Sequence, residues 1–271
     1  MGKRPALDKI EMIDGPIDEK SYERELAELQ DKLLTLQIHH MLTGGRVLIC
    51  IDGWDAAGKG GLIERIVDHL EPKSVHVWRI GAPTAAEQGR HYLWRFWQRL
   101  PAPGDWAIFD RTWYGRVLVE RIEGLCDKKA WKRAYHEINE FEHQLVDDGA
   151  RIVKLLMHVS EAEQKNRMIE RLEDPNKRYK VGLEDFRNIA KRKQYLEAYD
   201  DMLERTDTEH APWHVIATDH KKLARLKGLK IIADELERGV TLTEHELAPE
   251  IAEMARRTWN WTPGKKNGAP K

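Results

Sequence analysis

Residues 53–61 read Gly-Trp-Asp-Ala-Ala-Gly-Lys-Gly-Gly, which sets two glycines and a lysine at the spacing G-x-x-x-x-G-K. That spacing suits a loop that cradles phosphate. Glycines let successive backbone N–H groups of Gly53, Ala56, Ala57, Gly58, Gly60 and Gly61 converge on phosphate oxygens. A helix beginning at the loop's end adds positive potential, and Lys59 adds a full charge. A glycine turn before a helix would not by itself call for a lysine there. The position that holds a magnesium-ligating Ser or Thr in most such loops is Gly60. A metal here must therefore find another oxygen, and Asp55, inside the loop, is the nearest carboxylate. Asp55 could alternatively cap the following helix. Trp54 stands in the loop where a core residue is not expected, which leaves it as a candidate for lining a nucleotide or a subunit surface.

A second carboxylate ends the apolar run Trp106-Ala-Ile-Phe-Asp110, the Walker B pattern, which turns an acid from a strand end toward a phosphate loop. Arg111 and Arg116 follow at once and bring two guanidinium groups to that strand end, unless surface ion pairing occupies them. Further along, Asp174-Pro175-Asn176 breaks a helical pattern, and basic residues cluster beside the break. From 177 to 193 there are seven basic residues against two acids, Glu184 and Asp185. Phosphoryl transfer needs positive charge closed over a charged transition state. Residues 167–193 therefore read as a lid in which Arg171, Lys177, Arg178 and Lys180 face phosphates, while Lys191–Lys193 read as a solvated helix face.

These groups need a scaffold. Arg46–Asp52 is a short continuous apolar run followed by glycine, as expected of a strand buried on both faces. Further strands are expected at 74–80, 105–110, 150–159 and 213–217. Helical patterns fall at 60–70, 84–99, 113–122, 128–147, 160–173, 183–205 and 219–238. Strands alternating with helices at this pitch imply βαβ units and an α/β fold with a parallel sheet covered on both faces. Before it, Tyr22, Leu26, Leu29, Leu33 and Leu36 mark an amphipathic helix over 17–41, ended by Thr43-Gly44-Gly45. Residues 1–16 read as an irregular arm and 262–271 as a loose tail. No linker divides the 271 residues, so a single domain is expected.

Composition narrows the function. Lys plus Arg number 45 and Asp plus Glu 46, for a net charge of -1, which excludes a uniformly basic nucleic-acid binder and an acidic solvating tail. Charged residues are 34% of the chain and hydrophobic ones 41%, which fits an ordinary core under a heavily ionic surface. Two cysteines, Cys50 and Cys126, offer neither a disulfide framework nor zinc spacing. No 18-residue apolar run or leader pattern is present, so a cytoplasmic protein without membrane contact is expected. G-x-G-x-x-G is missing, which disfavours a dinucleotide oxidoreductase. An ATP-using kinase of a small acceptor and a nucleotide-gated interaction module remain open, although no N-K-x-D motif, and no D-x-x-G after the third strand, supports the second.

Three segments together, GWDAAGKGG at 53–61, FDRTWYGR at 109–116 and DPNKRYK at 174–180, resemble the family-2 polyphosphate kinases. The likeness runs in unbroken order over roughly residues 20–240 and includes Ala82-Pro83-Thr84 and Leu100-Pro101. It implies a three-layer α/β/α P-loop kinase fold with a central parallel sheet and a helical lid. The implied activity is reversible, Mg²⁺-dependent transfer of a phosphoryl group between inorganic polyphosphate and a nucleoside mono- or diphosphate, AMP or ADP giving ADP or ATP. Carried over by position, Asp55 and Asp110 would hold the metal. Lys59 and Arg111 would neutralise charge on the transferred group, and the lid's basic residues would grip phosphates. A homo-oligomer is also expected, with the 17–41 helix offering an apolar face.

A near-neutral total hides how the charges are sorted. From Arg111 to Arg133 seven basic residues face three acids, and 177–193 is more lopsided. A polyanion would be gripped locally, so transfer from subsaturating polyphosphate should fall as salt rises from about 50 to 500 mM. A flat salt dependence in initial rates would count against these two stretches as the contact surface.

Overall fold

Asp18 opens the first long element of this computed structural model, its side chain accepting from the Ser21 N–H at 3.0 Å. Helix α1 then spans Glu19–Thr43 and stops where Gly44 turns left-handed at φ 74°. The structure describes residues 6–12, 15–242 and 247–262. Of the irregular arm expected over 1–16, residues 1–5, 13 and 14 lie outside the described residues, as does the tail expected at 262–271 from residue 263 on. Within the arm, Leu7–Lys9 forms a 3₁₀ turn. Leu7 is fully buried there, and its N–H donates to Asp200 Oδ1 at 2.9 Å.

Strand β1 (Arg46–Gly53) buries its six central residues, as the unbroken apolar run predicts. The phosphate-type loop leads from it into α2 (Lys59–Val67). Strand β2 (Val75–Arg79), the short helix α3 (Trp94–Trp97) and β3 (Trp106–Asp110) follow. A 3₁₀ turn at Trp113–Arg116 and the single-turn helix α4 (Val119–Ile122) lead to α5 (Lys128–Asp147). Then come β4 (Ala150–His158), α6 (Glu161–Glu173), α7 (Leu183–Ala190), α8 (Arg192–Thr206), β5 (Trp213–Ala217) and α9 (Lys221–Glu237). Capping residues set the starts of the longer helices: Asp127 accepts from Ala130 N–H at 2.7 Å and Ser160 from Glu163 N–H at 3.2 Å.

Three helical expectations change. Residues 84–99 are turns except for α3. Glu87 draws the segment inward, accepting from Thr84 N–H and pairing with Arg95 and Arg99, and Gly89 adopts φ 74°. The 113–122 segment splits at Leu118, whose φ and ψ (-106°, -99°) leave the helical region. The 183–205 helix is interrupted at Lys191 (φ -102°, ψ 18°), which separates α7 from α8.

The strands are all parallel, in the order β2-β3-β1-β4-β5. Helices α1, α2 and α9 pack together on one face, while α5 with α8 and α4 covers the other, giving the three-layer α/β/α P-loop kinase fold. The register puts Ile51 opposite Asp110 and Gly53 opposite Met157, so the C-terminal ends of β1, β3 and β4 share one edge. Chain order reverses beside β1 and opens a crevice there, where ligands bind in open α/β sheets. The chain also divides into two compact units, Met1–Arg238 and Gly239–Lys271. In the second, helix α10 (Pro249–Trp259) starts with proline in its first turn and ends at Asn260 in a left-handed conformation. No helix among the described residues is long and apolar enough to cross a membrane.

Under the sheet lies a wholly buried ion pair. Lys154 on β4 reaches Glu142 on α5 at 2.8 Å, both side chains at 0% exposure. Each remaining valence is met: Lys154 also donates to Tyr114 Oη and Thr206 O, and Glu142 accepts from Trp113 Nε1 and Tyr114 Oη. Breaking such a pair leaves an uncompensated charge. Lys154→Met should cost about 3–5 kcal/mol in urea unfolding, and Lys154→Met with Glu142→Leu should recover most of it. A single variant as stable as the wild type would show that the pair is not what holds this layer.

Candidate phosphoryl-transfer site

Gly53 must be glycine. At φ 135° its missing Cβ would lie 2.1 Å from the Met157 carbonyl oxygen, because β4 runs directly alongside. The loop continues through Ala56 at φ 61° and Gly58 at φ 100°, and α2 starts at Lys59. First-turn N–H groups of a helix lack intrahelical partners, so those of Lys59–Gly61 point into the loop. Lys59 folds back over it, donating to the carbonyls of Gly53 and Trp54 at 2.8 Å each. Burial depresses its pKa, and Asp55, Asp110 and Asp52 only partly offset that. A Cβ on Gly60 would meet nothing within 4 Å beyond its own helix turn, so sterics do not exclude a hydroxyl residue there.

Asp55 is the centre of the arrangement. Its side chain is 13% exposed, and Oδ1 accepts from Arg111 Nη2 at 3.0 Å. Oδ2 accepts from Asn188 Nδ2 at 2.7 Å, and the backbone carbonyl from Gln164 Nε2 at 2.9 Å. Burial alone would raise this carboxyl's pKa. The Lys59 and Arg111 charges, with the Asn188 and Arg111 hydrogen bonds, outweigh it and hold the pKa below the ordinary value. Arg111 itself adopts φ 65°, a left-handed conformation that costs a non-glycine residue energy. Its N–H donates to Ile51 O at 3.0 Å, which fixes the turn that aims the guanidinium at the loop.

Asp52 and Asp110 complete the acids. Asp110 is half-buried at the end of β3, and its charge is felt by both Lys59 and Arg111. Asp52, at the end of β1, is buried and accepts from Thr112 Oγ1 at 2.5 Å. Burial pushes its pKa up to about 6 against the opposing pull of the Thr112 hydrogen bond, Lys59 and Arg111. Thr112 in turn accepts from Tyr114 N–H and starts the 3₁₀ turn after Arg111. Asp52 thus braces the turn that presents Arg111.

A cavity of about 220 Å³ lies against the loop, lined by Ala56, Ala57, Gly58 and Gly61 on one side and Arg171, Lys177 and Lys180 on the other. Lys221 and Arg225 of α9 add two charges that the sequence patterns did not single out. A larger cavity of about 350 Å³ beside Trp97, His136 and Phe141 carries none of these groups. Charge, rather than size, marks the site. Arg178 instead turns back on its own chain, donating to Leu172 O at 2.8 Å. Lys177 also pairs with Asp174 at 2.6 Å. Arg116 pairs with Glu120 at 2.7 Å and lies 4.5 Å from the Tyr92 ring centre.

Trp54 faces neither nucleotide nor partner: it is 4% exposed. Its indole N–H donates to His158 Nδ1 at 2.9 Å, Tyr199 meets its ring edge-on at 5.0 Å, and Arg192 lies 4.1 Å over it. Burial holds the His158 pKa at about 4, so the imidazole stays neutral and can accept. Arg192 is accordingly buried, not part of a solvated basic face, and donates to Gln164 Oε1 and Val159 O. Arg167, also buried, donates to Ala56 O at 3.0 Å and anchors the loop from α6. Asp52, Gln164, Arg167, Asn188 and Arg192 were not legible as site residues. Only Asp52 carried a local signal, an acid closing an apolar strand.

The family model described as Polyphosphate kinase 2 (PPK2) matches residues 16–242. The chain is 43% identical over 237 residues to a polyphosphate:AMP phosphotransferase of Pseudomonas aeruginosa, covering 88% of this chain and 48% of that one. It is 39% identical over 206 residues to an ADP-polyphosphate phosphotransferase 3 of Rhizobium meliloti, covering 76% and 72%. A crystal structure of Polyphosphate Kinase 2 from Arthrobacter aurescens superposes with a TM-score of 0.80 at 30% identity, covering 93% and 96%. The chain spans about half the length of the polyphosphate:AMP phosphotransferases it matches.

Asp52 yields a test by pH. Its folded pKa of about 6 lies above the unfolded value of 3.8. The folded state therefore holds this proton more tightly, and Asp52 lowers stability as pH rises from about 4 through 6. Asp52→Asn removes that ionisation, so its melting temperature relative to wild type should climb across this window and level off above it. A constant difference from pH 4 to 7 would contradict the raised pKa.

Proposed function

This chain belongs to the polyphosphate kinase 2 family, and from that membership we propose that it moves a phosphoryl group between inorganic polyphosphate and a nucleoside mono- or diphosphate. One observation carries the reading. The P-loop acid Asp55 and Arg111 form a 3.0 Å pair at the mouth of a loop whose other flank is a lysine- and arginine-lined cavity. Two polyanions can meet at such a place only if positive charge outweighs their repulsion. The relatives' names, which include AMP and ADP acceptors, support AMP or ADP going to ADP or ATP, in either direction.

Asp55 and Asp110 suit Mg²⁺, which takes one or two carboxylates and completes its shell with phosphate oxygens and water. Both are hard oxygen donors beside Lys59 and Arg111, and Asp55 stays ionised despite its burial. Held by Asp55 and Asp110, the cation would supply positive charge against the phosphates. The chain's own groups do the rest. An entering phosphate takes the Lys59 ammonium from the Gly53 and Trp54 carbonyls and sits against the N–H groups of the loop. Arg111 lies where charge builds on the transferred group, and its αL turn fixes it before substrate arrives. Arg171, Lys177 and Lys180 hold the rest of the polyanion, with Arg178 and Arg116 as further phosphate contacts once the lid closes. Closing the lid over the loop excludes water, so the acceptor oxygen rather than water attacks in line.

The reading extends to a cytoplasmic enzyme that assembles with copies of itself. Cys50 and Cys126 are both free thiols, and Ile38, Met41 and Leu42 expose apolar surface on α1. Purified protein given long-chain polyphosphate, Mg²⁺ and AMP or ADP should form ADP or ATP. Lys59→Ala should lower kcat about 10²–10³-fold, as loss of a preorganised charge does. Asp55→Asn and Asp110→Asn should do the same while their melting temperatures stay near wild type. No product above the Lys59→Ala background, with either acceptor, would overturn the reading, and wild-type rates in Asp55→Asn or Asp110→Asn would remove that acid from it.

A further inference from the structure

Helix α7 has no apolar anchor. None of its residues is buried, and Leu183 and Phe186 are 84% and 53% exposed. Hydrophobic burial therefore does not hold this helix against the loop. Its hydrogen bond to the loop comes from Asn188, which donates through Nδ2 to Asp55 Oδ2 at 2.7 Å. The amide cannot turn freely. Its Oδ1 accepts from Tyr195 Oη at 3.0 Å, and Tyr195 is buried on α8. The ionised carboxylate can only accept, so it takes the amide N–H end, and the tyrosine hydroxyl holds the other end in place.

The anchoring of α8 is of a different kind. Arg192, at its start, is buried on Trp54 and hydrogen-bonded to Gln164, which itself donates to the Asp55 backbone carbonyl. One route therefore fixes the Asp55 main chain through Arg192 and Gln164. A separate route fixes its carboxylate through Tyr195 and Asn188. Arg111 occupies Oδ1, so Asn188 decides where the second oxygen points.

We propose that Asn188 is a positioning residue, which orients the Asp55 carboxylate and ties lid helix α7 to the phosphate loop through it. The functional half of this rests on Asp55 being the loop's reacting-site acid, as proposed above; the tie between helix and loop does not. Asn188 touches no reacting atom and works by holding Asp55. A hydrogen bond to an ionised group in a partly buried site is among the stronger side-chain bonds, and its loss is felt on both sides. The lid loses its hold, and the carboxylate loses its orientation.

Hydrogen–deuterium exchange of residues 183–190, on protein without substrates or divalent cation, tests the tie directly. Asn188→Ala should exchange about tenfold faster than wild type. Asp55→Ala should release the same amides, and the double variant should add nothing further. Asn188→Asp separates positioning from packing. It keeps the shape and the acceptor for Tyr195, but sets a carboxylate against Asp55, so it should exchange faster still. With Mg²⁺, polyphosphate and AMP or ADP, Asn188→Ala should lower kcat on the order of tenfold and leave KM for the nucleotide little changed.

Wild-type exchange in Asn188→Ala, wild-type protection in Asn188→Asp, or release by Asn188→Ala but not by Asp55→Ala would each overturn the proposal. So would an Asn188→Ala kcat at or above wild type. If the wild-type protein transfers no phosphate while the exchange order holds, the proposed activity fails and the tie stands.

Discussion

A carboxylate that must stay ionised while largely removed from water is the constraint around which this molecule is arranged. Taking an acid out of water costs several kcal/mol unless charge and hydrogen bonds replace its hydration. Asp55 receives four such replacements: the Lys59 and Arg111 charges and hydrogen bonds from Arg111 and Asn188. Much of the local strain traces to that need. Arg111 reaches Asp55 only from a left-handed turn, and that turn is braced by Thr112 on Asp52 and by a backbone bond to Ile51. The loop comes close enough for Lys59 because Gly53 lets β1 pass against β4 where no Cβ fits.

The molecule treats its buried charges in three ways. Lys154 and Glu142 are fully buried and fully satisfied, and they fasten a helix layer to the sheet. Asp52 is buried with too little compensation, and its pKa rises to about 6. It can brace Thr112 equally well as a neutral acid, so the rise does no harm to its role. Asp55 alone is compensated well enough to stay charged and still partly open to solvent. Lys59 and Arg111 act on both Asp52 and Asp55, and what separates the two is that Asp55 also takes direct hydrogen bonds from Arg111 and Asn188 while Asp52 takes one, from Thr112.

The part of this that was legible in the sequence was the part with local causes. The loop, its lysine, the acid ending β3 and the alternation of strands and helices are all set within a few residues, and each was found where expected. The failures share a different cause. Residues 84–99 carry a helical pattern, but Glu87 gathers Thr84, Arg95 and Arg99 around itself, and the segment follows those ion pairs instead. Trp54 sits in a loop, yet β4 and α8 close over it through His158, Tyr199 and Arg192. Arg192 belongs to a basic run that looks solvated, and only the tertiary fold reveals that Trp54 lies beneath it. Gln164 and Asn188 are uncharged amides with no spacing signal at all. Their roles come from where α6 and α7 arrive in space.

Stability from α6 to α8 is therefore graded, and the grading has a direction. Helix α8 is held by a buried arginine, two buried tyrosines and the apolar core, which makes it part of the body. Helix α6 is held by Arg167, which is buried and bonded to the loop and to the segment after β5. Between them, residues 174–190 contribute no buried side chain. Local opening is easiest where few apolar contacts resist it, so motion concentrates in this stretch, bounded by Pro175 at one end and the break at Lys191 at the other. Lys177 and Lys180 lie inside the stretch and Arg171 just before it. Lys177 and Lys180 thus stand on a segment without buried side chains, while Asp55 stands on a loop held by Gln164 and Arg167.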